Sequence, residues 1–238
     1  RGKERNVGNP PIRRNAGIAP FHAQSHNEEQ TRILHRVPNM PTRLILASGS
    51  EIRATLLANA GIAFDVEPAR IDESAIRAGL AAEQATPRDV ADALAEYKAR
   101  KVGQKNPTSL VLGCDQVAAL KGEILNKPET PEVAREQLAR LSGQTHHLMS
   151  AAVIYHDYEP VWRYVGMVRM TMRQLSDAYV KDYVDRNWDS IRHSVGSYKL
   201  EEEGVRLFSQ IDGSYFNVLG LPLTELISYL ILRGDLET

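Results

Sequence analysis

Residues 44–61, LILASGSEIRATLLANAG, decide the fold. Leu44 to Ala47 form an apolar run with strand character, and Ser48-Gly49-Ser50 are small turn residues. Ile52, Leu56, Leu57 and Ala60 then recur at helical spacing until Gly61 closes the segment. Strand, turn and helix N-terminus together make the opening unit of an α/β fold. The turn matters chemically, because unsatisfied backbone N–H groups at a helix start bind anions.

Downstream the pattern continues as alternating strands and helices. Phe64 to Glu67 suggests a short strand, followed by a polar loop through Asp72-Glu73. Pro87 to Val102 has Pro in its first turn and Val90, Leu94 and Tyr97 on one side, which predicts a helix. Leu110 to Gly113 is a buried-strand run that delivers Asp115 at its end. Lys121-Gly122-Glu123 predicts a tight turn leading to Lys127-Pro128, and Thr130-Pro131-Glu132 caps a helix that ends at Gly143. Two β-prone stretches, His146 to His156 and Val161 to Gln174, predict a hairpin. A capped helix over Ser176 to Asp185, short strands within Tyr198 to Phe216 and a terminal helix from Pro222 to Leu232 complete the chain. The expected class is α/β, with a mixed sheet because a hairpin interrupts the alternation, flanked by helices.

The 238 residues carry 29 Lys and Arg against 30 Asp and Glu. Residues 1–40 hold seven of these bases and three of the acids, leaving 22 and 27, a net of −5, for the remainder. That first segment is rich in Gly, Pro, Asn and charge, a disordered composition, and Met40 is read as the natural start of a domain over 41–238. A mildly acidic body excludes a general nucleic-acid binder, whose affinity rests on neutralised phosphates. Cys114 is the single cysteine, so neither a disulfide framework nor a four-thiolate zinc site is available, and a reducing compartment, the cytoplasm, is expected. No apolar run approaches membrane-spanning length and no signal-peptide core precedes the body, so neither membrane nor export is expected.

Ser48, Ser50 and Arg53 present two hydroxyls and a guanidinium at the helix start, a phosphate cradle if they converge; the plainer reading is that Ser50 caps the helix and Arg53 is solvated. Glu73 and Asp115 are two carboxylates that could jointly hold a hard cation and orient water, although Glu73 alone is an ordinary loop acid. Asp115 is harder to dismiss, since a charge at the end of a buried strand is costly unless used or paired. Lys98 and Lys127 would each pass singly for solvated cations. His146 and His147 alternate strand faces without metal-ligand spacing, and Cys114 is a packed thiol.

In order along residues 42–233, LILASGSEIRATLLANAGIAF, IDES, EYKARK, LVLGCDQV, NKPETPEVAREQLARLSGQTH and VGSYKLEEEGVRLFSQIDGSYFNVLGLPL resemble the Maf family. The resemblance implies two lobes around a central cleft, an ITPase-like architecture, a homodimer, and cleavage of nucleoside triphosphates to monophosphate and pyrophosphate with Mg2+ or Mn2+. It implies that Ser48, Ser50 and Arg53 bind phosphate, Lys98 and Lys127 meet phosphate charge, and Glu73 and Asp115 serve metal and water, with Asp115 as proton acceptor. Ile52, the Asp115-Gln116 pair, Lys199 and Glu201 stand where the family's subgroups differ; the Asp115-Gln116 pair and Lys199 with Glu201 resemble the 7-methyl-GTP type more than the dTTP/UTP type, while Ile52 replaces an arginine of the dTTP/UTP type without supplying the aromatic residue of the 7-methyl-GTP type. Departures are Glu201-Glu202-Glu203-Gly204 in place of a glycine-richer motif, and Asn187 to Ser194 without its usual glycines. The rival reading is a nucleotide-binding regulator of septum formation or cell-division arrest that binds without turnover.

Overall fold

The computed structural model describes residues 42–237. The expectations of a disordered basic tail over 1–40 and a start at Met40 fall outside the described residues.

Strand β1 (Leu44–Leu46) leads into helix α1 (Glu51–Asn59), then β2 (Asp65–Val66), α2 (Glu73–Ala82), α3 (Pro87–Gly103), β3 (Leu110–Leu120) and β4 (Glu123–Leu125). Helix α4 (Pro131–Leu141), the hairpin β5 (Thr145–His156) and β6 (Glu159–Met172), α5 (Asp177–Ile191), β7 (Phe208–Asp212), the single turn α6 (Tyr215–Val218) and α7 (Leu223–Arg233) follow. Seven strands form one mixed sheet in the order β2-β1-β3-β5-β6-β7, with β4 beside β3. Pairings around β1 are parallel and the remainder antiparallel, so the expected mixed α/β sheet is present.

Two secondary-structure assignments change. Residues after Asp72 are helical rather than a loop: Asp72 accepts from the Ala75 N–H and caps α2. None of its residues is fully buried, and Ile76 and Leu80, one turn apart, pack in part against the core beside α3. The stretch from Tyr198 to Phe216 holds one strand, β7, preceded by 3-10 turns rather than short strands on both sides of Gly204. Its Glu-rich run lacks the apolar alternation that a strand needs.

The central strand is unevenly paired. One edge of β3 is covered by β5 from Val111 to Ala119, whereas the other meets β1 only at Leu110–Leu112 and β4 only at Ala118–Leu120. Residues 113–117 therefore face a gap in the ladder, between two strands that share an edge. Asp115 lies in the middle of an 11-residue strand, three residues past the last pair with β1, and not at the strand end.

The two faces differ. On one, Ile45, Val111, Val117 and Val153 pack on α3. On the other, Leu44, Leu112 and Ile154 build one core with α1 and α7, while Ala118, Leu148 and Met170 build a second with α4 and α5. Between these cores the register aligns Gln116 with Ser150 and Ser150 with Gly166, a polar row across three strands. Helix α6 covers that row. The Asn217 side chain sits where a Cβ on Gly166 would be, and the Asn217 carbonyl accepts from Ser150 Oγ at 2.6 Å. Among the described residues no helix is long and apolar enough to cross a membrane.

Candidate active site

Strand geometry places the even-numbered carbonyls of β3 on its broken edge. Leu112 O accepts from the Ala47 N–H at 2.8 Å, the last rung with the β1 segment. The next carbonyl on that edge, Cys114 O, is met instead by Arg53 Nη1 at 3.2 Å. Arg53 also donates to Ser48 Oγ at 3.1 Å and, through Nε, to Gly220 O at 2.8 Å. This guanidinium is buried, not solvated, and it points along the gap because both ends of the chain hold it. Ser50 occupies the cap position of α1 but makes no side-chain cap bond; its N–H instead donates to Ser48 Oγ. The capping role expected of Ser50 is therefore absent, which leaves its hydroxyl uncommitted to the helix.

Asp115 projects from the opposite face of the same strand. Its Oδ1 accepts from Lys98 Nζ at 2.7 Å, and the same ammonium lies 2.7 Å from Glu73 Oε1. Lys98 is expected on the helix surface but is 12% exposed, because α3 lies unusually close to β3. The cause is Gly113: a Cβ there would stand 2.1 Å from the Ala95 carbonyl oxygen. Glu73, at the first position of α2, is brought in by the Asp72 cap. Burial raises the Glu73 carboxyl, but the Lys98 bond and the charges of Lys98, Lys127 and Arg77 outweigh it and hold the group below the ordinary carboxylate range. Lys127, exposed just beyond β4, thus acts on the cluster through its charge. The Cys114 thiol between the two centres is pushed up to about 11 by burial, which makes it an inert core group.

The structure thus gathers Ser48, Arg53, Glu73, Lys98 and Asp115 around consecutive residues of one strand. It places others elsewhere. Gln116 Nε2 donates to Ser150 Oγ at 2.9 Å and to the carbonyls of Asn217 and Val218, both at 3.0 Å, so its amide anchors α6 in the polar row. Ile52 packs against the core under α1. Lys199 pairs with Glu202 at 3.2 Å in the turns before β7, and Glu201 is exposed there with no ion pair among the described residues. Arg77 escaped the sequence reading. Its signal was present as a cation four residues after Glu73, but that spacing has meaning only once α2 is helical.

Two carboxylates converging on one cationic centre form a donor pair suited to a hard cation, with phosphate oxygens and water completing its shell. Among the described residues no group of three or more His, Cys, Asp and Glu is placed to hold a metal without such help.

Comparison with known proteins agrees in extent with this architecture. The chain is 60% identical over 199 residues to a nucleoside triphosphate pyrophosphatase of Ruegeria pomeroyi, covering 84% of this chain and all of that protein. It is 47% identical over 195 residues to a protein of the same name from Caulobacter vibrioides, covering 82% and 98%. A 7-methyl-GTP pyrophosphatase of Brucella abortus is 47% identical over 191 residues, covering 80% and 96%. Residues 43–232, which span the strands, the gap and every residue of the charged cluster, match the family described as Maf-like protein, and the chain belongs to that family.

Proposed function

We propose that this protein hydrolyses a nucleoside triphosphate to its monophosphate and pyrophosphate. The observation that carries the reading is the Asp115–Lys98–Glu73 cluster, one residue along β3 from the carbonyl held by Arg53. Displacement at phosphorus asks a protein mainly to position and neutralise. Arg53 with the Ser48 and Ser50 hydroxyls grips phosphate at the α1 start, while Lys98 and Lys127 neutralise charge on the other lip. Asp115, 4% exposed, is shielded from bulk water and accepts a proton from the attacking water. Glu73 and Asp115 would hold Mg2+ or Mn2+, which supplies charge neutralisation and a lowered water pKa when bound.

Among bases we assign guanine or a methylated guanine above thymine and uracil. The Brucella relative carries such a name, and the unpaired, exposed Glu201 offers an acceptor to a donor-rich edge. The buried thiol fits the reducing cytoplasm, and we place the working enzyme there, as a homodimer free of nucleic acid.

The test is a nucleoside triphosphate panel with Mg2+ and Mn2+, scoring pyrophosphate apart from orthophosphate. Pyrophosphate release is expected, with guanine substrates ahead. Tight binding without turnover would favour the regulator; dTTP or UTP as best substrate would overturn the base assignment.

A further inference from the structure

We propose that Arg77 is a substrate-binding cation that caps Asp115 in the free enzyme and transfers to the pyrophosphate portion of the bound nucleotide. The inference rests on the reading above and adds to it a residue that no sequence motif supplied.

Arg77 reaches the site from the second turn of α2. Its Nη2 stands 3.4 Å from Asp115 Oδ2, a long approach beside the 2.7 Å bond that Lys98 makes to Oδ1 of the same carboxylate. Among the described residues this is the only hydrogen bond that the Arg77 side chain makes. A guanidinium carries five N–H donors in a planar fork suited to phosphate. Most of that fork is therefore unspent, at a position where a phosphate could take it bidentately.

The surroundings permit the side chain to move. Arg77 lines a cavity of about 320 Å3 with Ala78, Ala81, Ala85, Val90, Ile124 and Asn126, none of which hydrogen-bonds its side chain. Helix α2 has no fully buried residue; Ile76 and Leu80 pack in part against the core, and on its inward side Glu73 bonds Lys98 and Arg77 approaches Asp115. Charge gives a reason for the transfer. Arg53, Lys98, Lys127 and Arg77 carry four positive charges against the two of Glu73 and Asp115, a surplus that suits a metal-bound triphosphate, which is a net dianion. Without a ligand, the surplus settles on Asp115. A phosphate chain offers more acceptors than one carboxylate oxygen at 3.4 Å, and withdrawing Arg77 uncovers Asp115 for its proton.

The experiment measures binding of inorganic pyrophosphate and of a nucleoside monophosphate by calorimetry, on the full chain and on its Arg77→Gln and Arg77→Lys variants. Pyrophosphate affinity is expected to fall about 10- to 100-fold in Arg77→Gln, with part recovered in Arg77→Lys and the monophosphate unchanged. Unchanged pyrophosphate affinity, equal losses for both ligands, or no pyrophosphate binding by the unsubstituted chain would each overturn the inference. Absence of triphosphate turnover with Arg77-dependent pyrophosphate binding intact would instead count against the hydrolase reading alone.

Discussion

Arg53 Nε and the Gly220 carbonyl meet at 2.8 Å across 167 residues of sequence. Gly220 holds φ +87, and a Cβ there would come within 3.1 Å of Arg53 Nη2. One residue therefore satisfies a left-handed turn and leaves room for the guanidinium. Gly220→Ala should cost about 1–2 kcal/mol of stability from backbone strain. It should also raise KM by displacing Arg53. Thermal unfolding with steady-state kinetics checks both; a normal KM would show that Arg53 tolerates displacement.

Asp115→Asn should keep the fold and lose most turnover. The amide still accepts from Lys98, but it neither takes a proton nor binds a metal as a carboxylate does. A drop in kcat of about 100-fold or more is expected with little change in melting temperature. Near-normal kcat would remove Asp115 as the proton acceptor.

Gly113→Ala probes how Lys98 is delivered. The added carbon meets backbone atoms of Ala95 and Ala99 at 2.1 and 2.5 Å, which cannot swing aside as a side chain would. Helix α3 must move off β3, at a cost of about 3 kcal/mol. Lys98 should move with it. Gly79→Ala, exposed on α2 with nothing within 4 Å, is the matched control and should gain up to about 1 kcal/mol of helix propensity. Equal melting temperatures for the two variants would contradict the close approach.

Acid sensitivity should trace in part to His146. It is fully buried, with Nε2 2.6 Å from Tyr198 Oη and no partner at Nδ1 among the described residues. Burial first, and the neighbouring His147 charge second, pull it down to about 4 from 6.5. Between those values the unfolded chain binds a proton that the folded one refuses, so stability falls as pH drops from 6.5 toward 4. The full loss is at most about 3 kcal/mol. Unfolding followed at pH 7.5 and 5 should show a steeper decline for the natural chain than for His146→Gln, and parallel declines would exclude His146.

Periodicity exposed the elements whose apolar faces are strong, such as α3, α4 and the β5–β6 hairpin. It missed α2, whose apolar pair Ile76 and Leu80 is only partly buried and stands among alanines and charges. The run Leu110 to Gly113 announced a buried strand, but Asp115 looked terminal because a carboxylate ordinarily ends such a run. Pairing is a property of neighbours, and the loss of β1 beside residue 113 leaves no mark in the composition of β3 itself. Gln116 shows the same limit from the other side: its type and position suit a ligand, yet two carbonyls of α6, a hundred residues later, engage its amide. Arg77 became visible only with the helix that carries it.

The missing rungs of β3 set how this protein can change. A site built on loops drifts when its loops lengthen, whereas here Cys114 O and the Asp115 side chain are spaced by the pitch of a strand that is bonded along its far edge to β5. Insertions before Glu73 or after Lys127 would reshape the rim and leave the distance between phosphate grip and carboxylate alone. Substrate preference and catalytic geometry are in this sense separate inheritances: the former lies in turns open to variation, and the latter in a fixed interval of backbone.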